Sequence, residues 1–216
     1  MDSTQEEKKL QDIIVRFTLI TSKYARSGKD TLADLLYHRY KQIRYNSPDY
    51  ITFNRFRFAQ PLIKAFELIF GHRWDVDKLN PQVRTKLIKF SDACKTVDYY
   101  LWINKTLDEV EASLKEDFEE LNIIKNSRLN YIFTDCRYNY EYEKLSELLL
   151  NIASTYNVKT EIKLVEVVTT GTGAVTDRDN VAEAITVVPD FKIWNSKDSL
   201  AHYEKDILDN LGYLFT

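Results

Sequence analysis

At 216 residues, the chain is long enough to bury a sizeable core in one domain, and its net charge of −3 gives no bulk attraction to nucleic acid or to an anionic membrane. Its 44% hydrophobic and 29% charged residues are ordinary for a soluble globular protein. Cys94 and Cys136 form neither a metal-site spacing nor a disulfide framework, and no apolar stretch approaches the ~20 residues that span a bilayer, so we expect a reducing, cytoplasmic setting.

Five short segments are rich in β-branched and aromatic residues and are bounded by polar ones, which is typical of strands. Residues 1–12 before them are polar and acidic, and we expect a flexible tail there. The predicted strands are Val15–Ser22, Tyr50–Ala59, Leu129–Arg137, Glu161–Thr169 and Val188–Asn195.

Apolar residues at helical spacing fill the segments between these strands. Helices are predicted through Leu32–Tyr40, from Pro61 to a stop at Gly71, from about 98 to 121, through Tyr142–Ile152 and through Leu200–Leu214. We expect the polar stretch 72–90 to be an insertion and the glycine-bearing stretch 170–185 to be a mobile, lid-like loop. The alternation predicts an α/β fold, a single domain over residues 13–216 with a parallel β-sheet covered by helices on both faces. Ligands in such folds bind beyond the carboxyl ends of the strands.

One such end carries the motif ITSKYARSGKDTLADLL, which begins at Ile20. A strand, a loop and a helix follow one another there, as in a P-loop, where backbone N–H groups and a helix N-terminus point at phosphates. Gly28 stands where the backbone must approach an oxygen closely, and Lys29 supplies a compact positive charge for the β- and γ-phosphates. Lys23 replaces the first loop glycine, which costs only the easiest turn geometry. The sequence therefore predicts a triphosphate site.

The next two residues predict a magnesium site. The hydroxyl residue that usually follows the lysine is replaced by Asp30, and Thr31 comes one place later. A carboxylate is also a hard oxygen ligand, so Asp30 can hold Mg²⁺ directly or through water, with help from Thr31. The structural alternative is that Asp30 or Ser27 merely caps the helix.

The stretch RSGKDTLADLL resembles the loop of bacteriophage-type deoxynucleoside monophosphate kinases, which also carry Gly-Lys-Asp-Thr. Three further stretches resemble the same family in the same order, so the resemblance covers most of the chain from Val15 to Leu211: FRFAQPLIKAF (56–66), YIFTDCR (131–137) and DFKIWNSKDSLAHYEKDI (190–207). The departures are Lys23, Asp179 where a histidine is common, and Ala182 where a small hydroxyl residue precedes a glutamate.

The resemblance implies a P-loop NTPase-type fold and a kinase that moves the γ-phosphate of ATP, with Mg²⁺, onto a nucleoside monophosphate, especially a deoxy one. Neither nucleic acid nor a membrane is expected as a partner, and a homodimer is left open. Catalysis is assigned to Lys29, Arg26, Asp135, Arg137 and Arg178. Binding of the ATP phosphates is assigned to Ser27, Gly28, Lys29, Asp30 and Thr31. The acceptor is assigned to Arg57, Lys64 and Arg137. The metal is assigned to Asp30, Thr31 and Asp135.

Each assignment has an ordinary structural alternative. Asp135 would cap the helix that follows it, and Arg137 would form a salt bridge with Glu141 or Glu143. The remaining cations would be solvated surface charges: Arg26, Arg57, Lys64 and Arg178. Two alternative functions also stay open. The chain would be a kinase-derived binding or assembly protein whose catalysis has lapsed, or a kinase similar to the animal-type phosphomevalonate kinases, which share a similar loop.

Overall fold

The computed structural model describes residues 13–22, 27–44, 50–77, 80–121, 127–169, 185–195 and 200–212. The strands are β1 Ile13–Thr21, β2 Tyr50–Phe56, β3 Ser127–Phe133, β4 Lys159–Thr169 and β5 Phe191–Asn195. The helices are α1 Lys29–Arg44, α2 Ala59–Phe70, α3 Trp74–Asp77, α4 Pro81–Val97, α5 Leu101–Glu120, α6 Asn139–Tyr156 and α7 Leu200–Leu211.

The five strands form one parallel sheet in the order β2-β3-β1-β4-β5, flanked by helices, which confirms the predicted α/β fold. In β1, at its centre, eight of the nine residues are buried, and the burial is unbroken from Val15 to Thr21, as expected for a strand covered on both faces. Phe17 of β1 pairs in register with Tyr131 of β3 and with Ile162 of β4. All parallel strands end at the same edge, so the carboxyl ends of β1, β3, β4 and β5 lie side by side.

The two faces of the sheet carry separate apolar layers. The chain crosses from β1 to β2 in one direction and from β3 to β4 in the other, so right-handed crossovers place α1 and α6 on opposite faces. On the α1 face, side chains of α1 and α7 pack with the sheet in one buried cluster: Ile20, Leu32, Ala33, Leu36, Tyr40, Ile51, Phe53, Ile132, Val165, Val167, Ile193, Tyr203, Ile207 and Leu211. On the other face, the Phe17 ring packs against Tyr131 and Phe133 at centroid distances of 5.6 and 5.3 Å.

The contacts of the chain divide into two compact units. The first contains the residues up to Arg55 and those from Glu116 onwards, and the second is Phe56–Lys115. The second unit has its own small core, formed by Ile63, Phe66, Val83 and Leu87. The segment 72–90, predicted as an insertion, lies within it and contains α3 and the first part of α4.

Several element ends follow local signals in the sequence. Gly71 ends α2 in the left-handed region, with φ +67°, and its N–H donates to the carbonyl of Glu67, which confirms the predicted stop. The helix predicted from about 98 begins at Leu101, because Asp98 ends α4 and its carboxylate accepts the N–H of Tyr100. The strand predicted to reach Arg137 ends earlier, at Phe133. No helix in the described part of the chain is long and apolar enough to cross a membrane.

Candidate phosphate-binding site

The loop between β1 and α1 is described at its two ends, Ser22 and residues 27–28. The remaining loop residues, Lys23 and Arg26 among them, lie outside the described residues. Gly28 has φ +96°, a conformation that L side chains rarely adopt, and its carbonyl accepts the N–H of Leu32 as α1 begins. The prediction that a glycine is required here is therefore supported by the backbone itself.

The Lys29 side chain lies at the start of α1, where the helix dipole is positive. Its ammonium donates to the hydroxyl oxygen of Ser22 at 2.8 Å, and the Ser27 hydroxyl donates to the same oxygen at 2.7 Å. Lys29 is half-buried and Ser27 is buried. A lysine at a helix N-terminus is electrostatically unfavourable without an anion nearby, because the charge and the dipole have the same sign. The two together make this point strongly attractive to a phosphate.

Side chains from the last third of the chain hold the carbonyls of this loop. Asn195, the last residue of β5, donates from its amide to the carbonyl of Ser27 at 2.9 Å, and Tyr203 of α7 donates from its hydroxyl to the carbonyl of Gly28 at 3.1 Å. The Thr169 hydroxyl also approaches the Ser27 carbonyl, at 3.5 Å. We call Asn195 and Tyr203 the carboxy-terminal clamp. Sequence reasoning gave neither residue a role; an asparagine that ends a strand at the carboxyl edge was the available signal.

The clamp also explains why residue 28 has no side chain. A Cβ on Gly28 would lie 2.3 Å from the amide nitrogen of Asn195 and 3.5 Å from the hydroxyl of Tyr203. Tyr203 is buried, and burial together with the nearby charge of Asp206 raises the pKa of its phenol well above the ordinary value. The hydroxyl therefore stays neutral and remains a donor.

Asp30 lies in the first turn of α1 and is engaged by an arginine. Its carboxylate pairs with one guanidinium nitrogen of Arg55 at 2.5 Å, and Asp34 pairs with another at 2.6 Å. The Asp30 side chain is 69% exposed, and Thr31 beside it is exposed. Because α1 begins at Lys29, Asp30 lies inside the helix rather than at the cap. In this first turn, its negative charge interacts favourably with the positive end of the helix dipole.

The loop after β3 carries Asp135 and Arg137 at the same edge of the sheet. Asp135 is half-buried and Arg137 is exposed. The start of α6 is capped by Glu141, which accepts the backbone N–H groups of Arg137 at 2.6 Å and Tyr138 at 3.1 Å. Glu141 thus binds the main chain at the start of α6, and the charge of Arg137, for which the sequence suggested a salt bridge with Glu141 or Glu143, also acts on its carboxyl group.

Glu141 is an unusual capping residue because it is buried, with 5% exposure. The pKa of its carboxyl is raised to about 8, because burial and the charge of Asp135 outweigh the lowering by its two backbone donors and by the charge of Arg137. The thiol of Cys136 is buried beside it, and burial followed by the charge of Glu141 raises the pKa of that thiol. The main chain of the loop that bears Asp135 and Arg137 is therefore fixed by the buried carboxyl group of Glu141.

The same loop anchors the chain where it returns from residues 170–184. The N–H of Ile185 donates to the carbonyl of Arg137 at 2.8 Å, and the N–H of Thr186 donates to the side chain of Asn139 at 2.8 Å. The predicted lid-like loop with Arg178, Asp179 and Ala182 lies outside the described residues, apart from its last residue. The structure describes both flanks of that segment: Thr169, whose hydroxyl lies near the Ser27 carbonyl, precedes it, and Ile185, bonded to the Arg137 carbonyl, ends it.

The two predicted acceptor residues before residue 100 belong to the second unit. Arg57 follows directly after β2 and is half-buried. Lys64 of α2 is 58% exposed and pairs with Glu109 of α5 at 2.7 Å. This contact is the type of surface ion pair that was the structural alternative for Lys64.

Among the described residues, no group of three or more His, Cys, Asp or Glu side chains is arranged to hold a metal ion. Comparison with models of known protein families finds no match, and comparison with curated proteins finds no significant one.

Proposed function

We propose that the chain is a P-loop nucleotide kinase that transfers the γ-phosphate of ATP to a nucleoside monophosphate, in particular a deoxynucleoside monophosphate. One observation supports this most: a lysine ammonium stands at the mouth of α1, next to a positive-φ glycine, at the carboxyl end of the central strand of a parallel sheet. The strand order and the Gly-Lys-Asp-Thr motif support the finer proposal of a P-loop fold of the bacteriophage deoxynucleoside monophosphate kinase type.

The proposed mechanism depends on positioning and charge rather than on a covalent intermediate. The N–H groups of residues 28 and 29 and the dipole of α1 bind the ATP phosphates, and the Lys29 ammonium offsets charge as it develops on the transferred group. Arg137 is exposed at the same sheet edge, and its planar guanidinium binds the acceptor phosphate in a bidentate manner. Glu141 fixes the main chain that carries Arg137.

The oxygen donors near the loop are of the type that Mg²⁺ takes. A nucleotide-bound Mg²⁺ needs only one or two protein carboxylates, because waters and phosphate oxygens complete its shell. Asp135 is a candidate carboxylate for this role because it lies half-buried in the loop after β3, and Asp30, which pairs with Arg55, is the other. When bound, Mg²⁺ would neutralise part of the phosphate charge.

The proposal is tested by Lys29→Ala in a coupled assay with Mg-ATP and each of the four deoxynucleoside monophosphates. We expect turnover to be abolished, while the melting temperature stays close to that of the wild type, because the half-buried lysine has little packing to lose. Lys205→Ala is the matched control, since it removes an exposed lysine of α7 in the same unit. Turnover that persists in Lys29→Ala would remove the central assignment.

The Asp30–Arg55 pair favours a second candidate, a kinase-derived binding protein whose catalysis has lapsed, because it engages the residue that follows the loop lysine. Thermal stabilisation separates the two, since a bound ligand raises stability by RT ln(1 + [L]/Kd). A shift with Mg-ATP that grows on adding a deoxynucleoside monophosphate supports the kinase. A shift with Mg-ATP alone directs the search to another acceptor, such as phosphomevalonate, and no shift with either ligand supports the binding protein.

A further inference from the structure

Two consecutive carbonyls of the loop are held from the same side. The Ser27 carbonyl accepts from Asn195 at 2.9 Å, and the Gly28 carbonyl accepts from Tyr203 at 3.1 Å. The third approach, from Thr169 at 3.5 Å, is at the limit of a hydrogen bond and adds little. These are long-range contacts, because the partners stand 168 and 175 positions apart in the sequence.

The geometry of the peptide unit gives these contacts a consequence for the opposite side of the loop. A trans peptide is planar, so the carbonyl of one residue and the N–H of the next point in opposite directions. The described residues contain no cis peptide bond. Fixing the carbonyls of Ser27 and Gly28 therefore aims the N–H groups of Gly28 and Lys29 away from β5 and α7. A P-loop binds phosphate through such N–H groups.

The clamp has little freedom to move. Tyr203 is only 2% exposed and belongs to the core cluster on the α1 face of the sheet. The amide of Asn195 occupies the space in which a side chain at residue 28 would begin. The Gly28 carbonyl also accepts the N–H of Leu32, so both α1 and the clamp fix the orientation of this peptide unit.

We propose that Asn195 and Tyr203 are positioning residues for the phosphate-binding loop: they hold the carbonyls of residues 27 and 28 and thereby orient the N–H groups of residues 28 and 29 toward the anion. This inference rests on the proposed function of the loop. It adds two side chains from the far end of the chain to the proposed site and assigns them to a step before chemistry, the pre-organisation of donors. Donors that are already oriented bind the anion without the cost of reorganisation.

The test uses Tyr203→Phe and Asn195→Ala, with inorganic tripolyphosphate plus Mg²⁺ as the probe in calorimetry, so that neither base nor acceptor contributes. Tyr203→Phe keeps the buried ring and removes only the hydroxyl. We expect each variant to weaken tripolyphosphate binding about tenfold or more, because a misdirected donor to a charged oxygen is lost. In turnover assays, the KM for ATP should rise more than kcat falls.

Tyr40→Phe is the matched control. Tyr40 lies in the same core cluster, and its hydroxyl likewise donates to a backbone carbonyl, that of Ile51 in β2. It should lower the melting temperature about as much as Tyr203→Phe does, with tripolyphosphate affinity within about twofold of the wild type. A purely structural role for Tyr203 predicts equal effects of both variants on affinity, and that result would overturn the proposal.

A second measurement follows the N–H donors of Gly28 and Lys29 directly, by NMR and without any ligand. The amide resonances of Gly28 and Lys29 should shift in Tyr203→Phe and exchange their protons at an altered rate, and they should not do so in Tyr40→Phe. Unchanged amides would overturn the positioning role even if tripolyphosphate binds. If the amides respond as expected but the wild type binds no tripolyphosphate, the proposed function fails and the anion-orienting role fails with it. If the wild type binds and both clamp variants bind equally well, only the positioning role fails.

Discussion

Replacing Gly28 with alanine tests the geometry of the loop most directly. The new Cβ would meet the amide nitrogen of Asn195 at 2.3 Å, a separation that real Cβ atoms essentially never show, so the asparagine must move. The backbone at residue 28 would also keep φ +96°, which is strained for any L residue with a side chain. The substitution therefore combines a conformational cost with the loss of the Asn195–Ser27 hydrogen bond.

The two costs add to a measurable total. Strained backbone at such a φ costs about 1–3 kcal/mol, and the lost hydrogen bond costs about 0.5–1.5 kcal/mol. The expected destabilisation of Gly28→Ala is about 2–4 kcal/mol, which lowers the melting temperature by roughly 5–15 °C in a chain of this length. Gly71→Ala is the control for strain alone, since Gly71 has φ +67° and nothing lies within 4 Å of its Cβ position.

The assay is urea or thermal unfolding of Gly28→Ala, Asn195→Ala and the double variant. Because both single variants lose the same hydrogen bond, the double variant should be less destabilised than the sum of the two by about 0.5–1.5 kcal/mol. Strict additivity in this cycle would refute the reasoning. So would a Gly28→Ala protein that loses no more stability than Gly71→Ala does.

Two further predictions concern carboxyl groups whose pKa is raised by burial or partial burial. Glu141 has a folded-state pKa near 8 against an ordinary value of 4.5, so the stability it contributes is complete below the ordinary pKa and is lost as the pH rises to about 8. In that range the free energy of unfolding should fall by up to about 1.4 kcal/mol per pH unit. Urea titrations should show a flatter pH dependence for Glu141→Gln than for the wild type. Tyr131→Phe removes the phenol that donates to Asp117, whose pKa is already raised, first by burial. We expect the Asp117 pKa, followed by carboxyl NMR, to rise further and stability at neutral pH to fall by about 1.5–3 kcal/mol; an unchanged Asp117 titration would contradict this.

The strands and most helices were predictable because burial imposes a period on the sequence. The stripe of α5 is an example, with Ile103, Val110 and Leu114 buried along one side of the helix. By contrast, the first part of α4 falls in the stretch 72–90 that the sequence predicts as a polar insertion, since only Val83 and Leu87 of the 17 residues of α4 are buried and such a narrow stripe gives little periodic signal. Its start was nevertheless marked by Asn80, whose side chain caps the helix, followed by a proline at its first position.

The local half of the candidate site was predictable because its residues are neighbours in the sequence, and the long-range half was not. A strand, a glycine, a lysine and a helix follow one another within a few residues, so Gly28 and Lys29 can be identified by their order alone. Asn195 and Tyr203 meet the loop only after the whole sheet has formed, and no spacing in the sequence indicates that meeting. Glu141 was considered as a partner of the Arg137 side chain, because sequence indicates charge but not which backbone donors a carboxylate reaches.

The clamp also determines when the loop becomes fixed during biosynthesis. Asn195 is translated 168 positions after Ser27, so at about 5–20 residues per second the loop waits roughly 10–30 s on the ribosome for the side chains that hold it. During that interval a nascent chain already contains β1 and α1 but lacks the contacts that set the direction of the loop amides. If the loop binds a triphosphate as proposed, that competence is acquired in the last steps of folding, and a nascent chain stalled before β5 should not be rescued by nucleotide.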